Sequence, residues 1–154
     1  MNSDFRDLLA EFNAHSVEFL VVGAHALAAH GLVRATRDLD VWVNPTSENA
    51  SRVLEALEAF GAPLHDLTVE DISSPGTVFQ IGVAPIRIDV LTEIEGVTFP
   101  EAWADRLEIT FEDQSVGVLS REHIIENKNA VGRDQDLVDV KWLRENAAKE
   151  DKGN

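Results

Sequence analysis

Residues 38–43 read Asp-Leu-Asp-Val-Trp-Val. No other stretch narrows the fold as much. The apolar, β-branched run predicts a buried strand over 39–44, stopped at Asn44-Pro45. Strand side chains alternate between faces, so Asp38 and Asp40 point the same way. Two carboxylates a few ångströms apart repel each other unless a cation lies between them. Burying either one unpaired is expensive. The pair reads as half of a divalent-metal site, or else as a solvated strand end.

The flanking pattern places this strand in a mixed fold. Phe5, Leu8, Leu9 and Phe12 recur at helical spacing, which predicts a helix over 4–14. Val17 to Val22 reads as a buried strand broken by Gly23, and the Ala-rich run 24–30 as a short helix with Gly31 past its end. Thr46 or Ser47 caps a helix whose inner face holds Ala50, Val53, Leu54, Leu57 and Phe60, closed by Gly61. Residues 66–72 read as a short helix and 73–76 as a turn.

Residues 77–81 and 86–91 predict a hairpin joined by 82–85, with Ile86, Ile88 and Val90 on one face and Arg87 and Asp89 on the other. A helical turn over 99–105 leads to a second strand pair, 107–111 and 116–119, joined by a turn at 112–115. Ser120 caps a helix to about Val131. Gly132 interrupts it, and a last helix runs from Asp134 to about Ala148 with Leu137, Val140, Leu143 and Ala147 inward. The expected class is α+β (mixed α/β). The expected organisation is one domain over 1–149, C-terminal helices within 120–148, and a disordered tail at 150–154.

Charge narrows the partners. The 154 residues carry 28 acidic and 13 basic side chains, a net −15. That opposes general affinity for a nucleic-acid backbone. It suits a small anion held through metal ions, or a basic protein partner. There is no cysteine, which rules out disulfides and thiol chemistry and suits a reducing cytoplasm. No run reaches the roughly 18 apolar residues of a membrane span, and the start of the chain lacks the features of a signal peptide.

Three further features join the aspartate pair. The Gly23-Ala24 turn lets backbone N–H groups approach phosphate oxygens. Asp89 lies in an apolar strand, where it could bind a second metal ion and accept a proton. Lys128 and Arg133 stand in a late basic–acidic cluster with Asp134 and Asp136, and either could neutralise a triphosphate. A hard cation, Mg2+ or Mn2+, is the expected cofactor for three carboxylates. Asp136 could equally pair with Arg133, and Asp89 with Arg87. The five histidines have no ligand spacing; His25 and His30 read as packing or hydrogen-bonding residues, and Trp42, Trp103 and Trp142 as buried or half-buried.

The stretches VVGAHALAAHG, RATRDLDVWV and IRIDVL, in that order, resemble the nucleotidyltransferase superfamily of the polymerase-beta type. Gly31, Arg34, Thr36, Asp38, Leu39 and Asp40 are similar to the pattern of small prokaryotic members. These include abortive-infection and toxin–antitoxin nucleotidyltransferase-like proteins. The late run ENKNAVGRDQDLVDVKWL resembles the helical tail of that group. The resemblance implies a small mixed sheet flanked by helices. It implies Asp38, Asp40 and Asp89 as catalytic metal ligands, and Gly23, Ala24, Arg34, Thr36, Lys128 and Arg133 as nucleotide-binding residues. The implied substrate is a nucleoside triphosphate, with a small molecule, protein or RNA end as acceptor. Where the family has Gly or Ser, this chain has Ala24, so phosphate binding there rests on backbone N–H groups alone. A second expectation is a weakly catalytic nucleotide-binding partner in a toxin–antitoxin or regulatory pair.

Overall fold

The computed structural model describes residues 3–82 and 86–147. Residues 83–85 of the expected 82–85 connection, the expected last helical residue Ala148 and the expected tail lie outside them. Seven helices and six strands are described: α1 (Ser3–Ala14), β1 (Phe19–Val22), α2 (Gly23–Ala29), β2 (Asp38–Val43), α3 (Ser47–Phe60), α4 (Val69–Ile72), β3 (Val78–Ile81), β4 (Arg87–Leu91), α5 (Phe99–Ala104), β5 (Leu107–Phe111), β6 (Gln114–Val118), α6 (Arg121–Val131) and α7 (Asp134–Glu145). The strands form one mixed sheet in the order β3-β4-β2-β1-β6-β5. β1 runs antiparallel to β2 and parallel to β6, β2 runs parallel to β4, and hairpins add the two edges.

The centre of the sheet is the most apolar part of the chain. All four residues of β1 are buried, as are Leu39, Val41, Trp42 and Val43 of β2. Strands covered on both faces read as continuous apolar runs, as these do. The expected face of α1 packs inward, and Phe12 meets Phe19 edge-on with ring centroids 5.2 Å apart. Phe19 is paired with Val43, so α1 covers the Leu39–Val41–Val43 face. Trp42 lies on the opposite face with the aspartates and meets Phe99 of α5 edge-on at 5.0 Å. Thr46 caps α3 by accepting from Asn49 N at 3.2 Å. Buried Asn49 accepts from Glu18 N at 2.8 Å and donates to Asn44 O at 2.9 Å, which fastens α3 to the end of the β1–β2 pair.

Several expected boundaries shift, each for a local reason. β1 starts at Phe19 because Val17 N donates to Phe12 O, closing α1. α4 is shorter than 66–72, since Thr68 and Asp71 form a capping box and His65 and Asp66 take left-handed backbone. Ile86 lies outside β4 and is exposed. The second hairpin turns over Glu112 and Asp113 alone, both left-handed, so Gln114 and Ser115 belong to β6. Leu137 does not face inward: it is 51% exposed, and Asp136 and Asp139 take the buried face of α7 with Val140 and Leu143. Among the described residues no helix is long and apolar enough to cross a membrane.

Candidate active site

β1 leaves the sheet at Val22, and the chain turns at Gly23 into α2. Gly23 has φ 69°, a left-handed conformation that side chains disfavour. Val22 is paired with Asp40, so the turn sits beside that carboxylate. A Cβ on Gly23 would come within 2.3 Å of Asp40 Oδ2. Only glycine fits.

Asp38 and Asp40 flank the buried Leu39, as alternation requires. β4 then supplies the partners. Parallel pairing sets Asp40 opposite Asp89 and Asp38 opposite Arg87. Three carboxylates and one guanidinium thus stand in two rows on one face. Arg87 Nη2 lies 3.3 Å from Asp38 Oδ2, and its Nε lies 3.1 Å from Asp89 Oδ1. Nη2 also donates to Asp89 Oδ2 at 3.3 Å. The Nε–Oδ1 pair is close but poorly aligned, and both buried atoms lack a hydrogen-bond partner.

Asp40 stays outside this clamp. Burial first, then repulsion from Asp89 and Asp38, push its carboxyl up to about 6, and Arg87 offsets only part of this. The donor set is one a hard divalent cation prefers: three carboxylates, one of them burdened by its neighbours. Among the described residues, however, no three acidic or histidine side chains already converge on one point. Arg87 provides the local positive charge instead. Asp38, Asp40 and Asp89 are the side chains of this row that could hold a divalent cation.

Thr36 and His25 support Asp38 from behind. Thr36 Oγ1 lies 3.3 Å from both the N and the O of Asp38, so its hydroxyl is turned toward the strand's backbone. The His25 ring is held between Phe5 and Phe111, with burial lowering its pKa and the Glu112 carboxylate, then a bond to the Asp38 backbone, opposing that shift. His30 Nε2 pairs with Leu119 O at 2.9 Å. Both histidines act as packing and hydrogen-bonding groups, as expected. Ala24 is half-buried in the first turn of α2.

The basic residues gather on two aspartates of α7. Arg34 makes a two-pronged bond to Asp139, with Nη1 2.9 Å from Oδ2. Lys128 Nζ lies 2.8 Å from Asp139 and 3.2 Å from Asp136. Arg133 Nε donates to Asp136 Oδ2 at 2.8 Å. Burial pushes the Asp139 carboxyl upward, but Arg34, Lys128 and Gln135 outweigh it and hold the group well below the usual carboxylate range. Arg133, then burial acting in the opposite direction, then Lys128 set Asp136, which also ends low. Three cations against two carboxylates leave one formal positive charge. The expected nucleotide-binding residues Arg34, Lys128 and Arg133 are therefore brought together, and each is anchored by an aspartate.

Asp139 escaped the sequence reading. Its signal was the Asp136/Asp139 spacing of three, which puts both carboxylates on one helix face toward Lys128. Arg87 was visible only as a neighbour of Asp89, and its bridge to Asp38 depends on strand register.

A family model described as a nucleotidyltransferase of unknown function (DUF6036) matches residues 4–146. No curated protein matches the sequence significantly. Among solved structures, the chain is similar to the lincosamide antibiotic adenylyltransferase LnuA with lincomycin bound: TM-score 0.58, 15% identity, covering 94% of this chain and 96% of that one. It is also similar to a proposed nucleotidyltransferase, TM1012, from Thermotoga maritima: TM-score 0.60, 16% identity, covering 92% and 91%. At these identities the likeness is one of fold.

Proposed function

The chain belongs to this family of nucleotidyltransferases, and we propose that it moves a nucleoside monophosphate from a nucleoside triphosphate to a hydroxyl or phosphate acceptor, using Mg2+ or Mn2+. The observation that carries the reading is the pairing of Asp40 with Asp89, with Asp38 on the same face and Gly23 against Asp40. A bound divalent ion supplies positive charge to the phosphate oxygens and acidifies an attacking hydroxyl. Asp38, Asp40 and Asp89 would hold the divalent ion, and Asp89 would take the acceptor's proton. The acceptor oxygen forms a bond to the α-phosphorus, and the bond to pyrophosphate breaks. Arg34, Lys128 and Arg133 share their N–H donors between the aspartates and the departing pyrophosphate. α2 has only seven residues, so the reading leans on the carboxylates more than on its N-terminus.

Incubation with α-labelled triphosphates, magnesium and cell extract tests it. Label should appear on an acceptor with wild type and fall at least 100-fold with Asp89→Asn. No transfer by wild type, or full transfer by the variant, rejects catalysis. An antibiotic hydroxyl is one acceptor to try, as is the free end of an RNA.

A second reading has specific support. Ala24 replaces the Gly or Ser of the family pattern, and Arg87 is tied to two of the three carboxylates. Both suit a nucleotide-binding protein of low turnover, acting with a basic protein partner in a cytoplasmic toxin–antitoxin or regulatory pair. Fast transfer by the isolated chain would remove this reading.

A further inference from the structure

α7 turns two large apolar side chains to solvent: Leu137 is 51% exposed and Val138 60%. Val131, at the adjoining end of α6, is exposed as well. Among the described residues these are three of the six large apolar side chains that stand exposed, and they fall within residues 131–138. Scattered apolar residues are ordinary on a surface, but a contiguous patch marks a contact. α3 shows the contrast, since its exposed side carries Glu48, Ser51, Glu55 and Glu58. That is the pattern of a helix that faces water alone.

The patch is imposed from the other side of α7. Buried Asp136 and Asp139 pair with Arg34, Lys128 and Arg133, which fixes the rotation of the helix. Turning Leu137 and Val138 inward would break those pairs and strand buried carboxylates. Residues 148–154, Ala-Lys-Glu-Asp-Lys-Gly-Asn, bring no large apolar side chain to cover the patch. Its cover comes from another molecule.

The order of side chains identifies that molecule. Asp134, Leu137, Val138 and Lys141 follow one another along the exposed side of α7. Asp134 and Lys141 are equally far from the midpoint between 137 and 138, and they carry opposite charge. Set a second α7 antiparallel, with a twofold axis at that midpoint. Leu137 of each copy then meets Val138 of the other, and each Asp134 lies level with a Lys141. The two charges of the stripe cancel, whereas copies of a chain with net charge −15 repel over most other surfaces. A basic partner is drawn instead to acidic helix sides such as that of α3. Lys141 keeps only an exposed contact with Glu145, at 4.0 Å, which costs little to exchange.

We propose that the exposed side of α7 is the twofold interface of a homodimer, in which two copies of the helix dock antiparallel through Leu137 and Val138. The interface is independent of nucleotide transfer.

Analytical ultracentrifugation of the full chain tests it. Wild type should show a monomer–dimer equilibrium that is mostly dimer at about 200 µM. Val138→Glu should be monomeric at the same concentration and keep the wild-type melting temperature when both proteins are dilute. Asp134→Lys and Lys141→Asp should each weaken the dimer by about fivefold, and the two together should restore it. The chain has no cysteine of its own, so a short bis-maleimide should join Val138→Cys protein into covalent dimers and leave the α3 variant Glu58→Cys monomeric. Wild type that stays monomeric at about 200 µM overturns the proposal. So does an undiminished dimer in folded Val138→Glu protein, equal cross-linking through Glu58→Cys, or a double charge exchange that fails to restore association.

Discussion

Gly23 and Asp40 touch across the first two strands: the glycine's missing side chain is the space into which the carboxylate's Oδ2 fits, 2.3 Å from where a Cβ would stand. The contact joins the turn that opens α2 to the residue with the most perturbed acidity in the carboxylate row. It also explains why a left-handed residue is found there, since φ is 69°.

Gly23→Ala should therefore fail twice. The left-handed backbone and the clash together should destabilise the fold by about 1–3 kcal/mol. Displacing Asp40 by about an ångström should lower transfer by about 100-fold. Urea denaturation and initial rates on the same preparation separate the two effects. Wild-type stability and rate would show that the contact is unimportant.

Asp40 should make stability fall with pH. Its folded carboxyl is pushed up to about 6 by burial and by Asp89 and Asp38, so the folded state holds its proton more tightly than the unfolded chain does. Protonation at this site favours folding. That contribution is complete below about pH 4, is lost as pH rises to about 6, and stays lost above. Solvent screening trims the effect to about 1–2 kcal/mol. Asp40→Asn should match wild type near pH 4 and exceed it at pH 8, measured by denaturation at each pH. An unchanged difference between the two proteins across this range would remove the repulsion.

Asp139 should be the costliest surface-to-helix link to break. Asp139→Asn leaves Arg34 and Lys128 short of their shared counter-charge and should destabilise by about 3 kcal/mol at neutral pH. Its lowered pKa means that the link's contribution is complete above the ordinary carboxylate range and is lost only in strong acid. Thermal unfolding at pH 7 measures it, and a shift below one degree would contradict the link.

Arg87 should compete with metal. Its guanidinium bridges Asp38 and Asp89, so Arg87→Met should lower stability without magnesium and raise magnesium affinity several-fold. Calorimetric titration checks both proteins. Weaker magnesium binding by the variant would mean that Arg87 helps build the cation site.

Much of the carboxylate row was legible because its signals are local. Alternation alone placed Asp38 and Asp40 on one face, and Ile88 and Val90 marked Asp89 as part of an apolar strand. The register of β2 against β4 was not legible: parallel pairing joins segments far apart in the chain, and nothing in either states its offset. That offset sets Asp40 opposite Asp89 and brings Arg87 to Asp38. The helix face of α7 misled for a different reason. Leu137 fits an apolar pattern, but charges on Arg34 and Lys128 draw Asp136 and Asp139 inward and turn Leu137 out. The Glu112-Asp113 turn lacks the Asn-Gly signal of a two-residue hairpin, so its tightness was hidden.

The most direct measurement is isothermal calorimetry of magnesium with a non-hydrolysable triphosphate, wild type against the double variant Asp38→Asn/Asp40→Asn. Wild type should bind triphosphate only in the presence of magnesium, and the variant should lose at least tenfold in affinity while remaining folded. Equal binding by both proteins, or magnesium-independent binding by wild type, would contradict a metal–nucleotide site built on these aspartates.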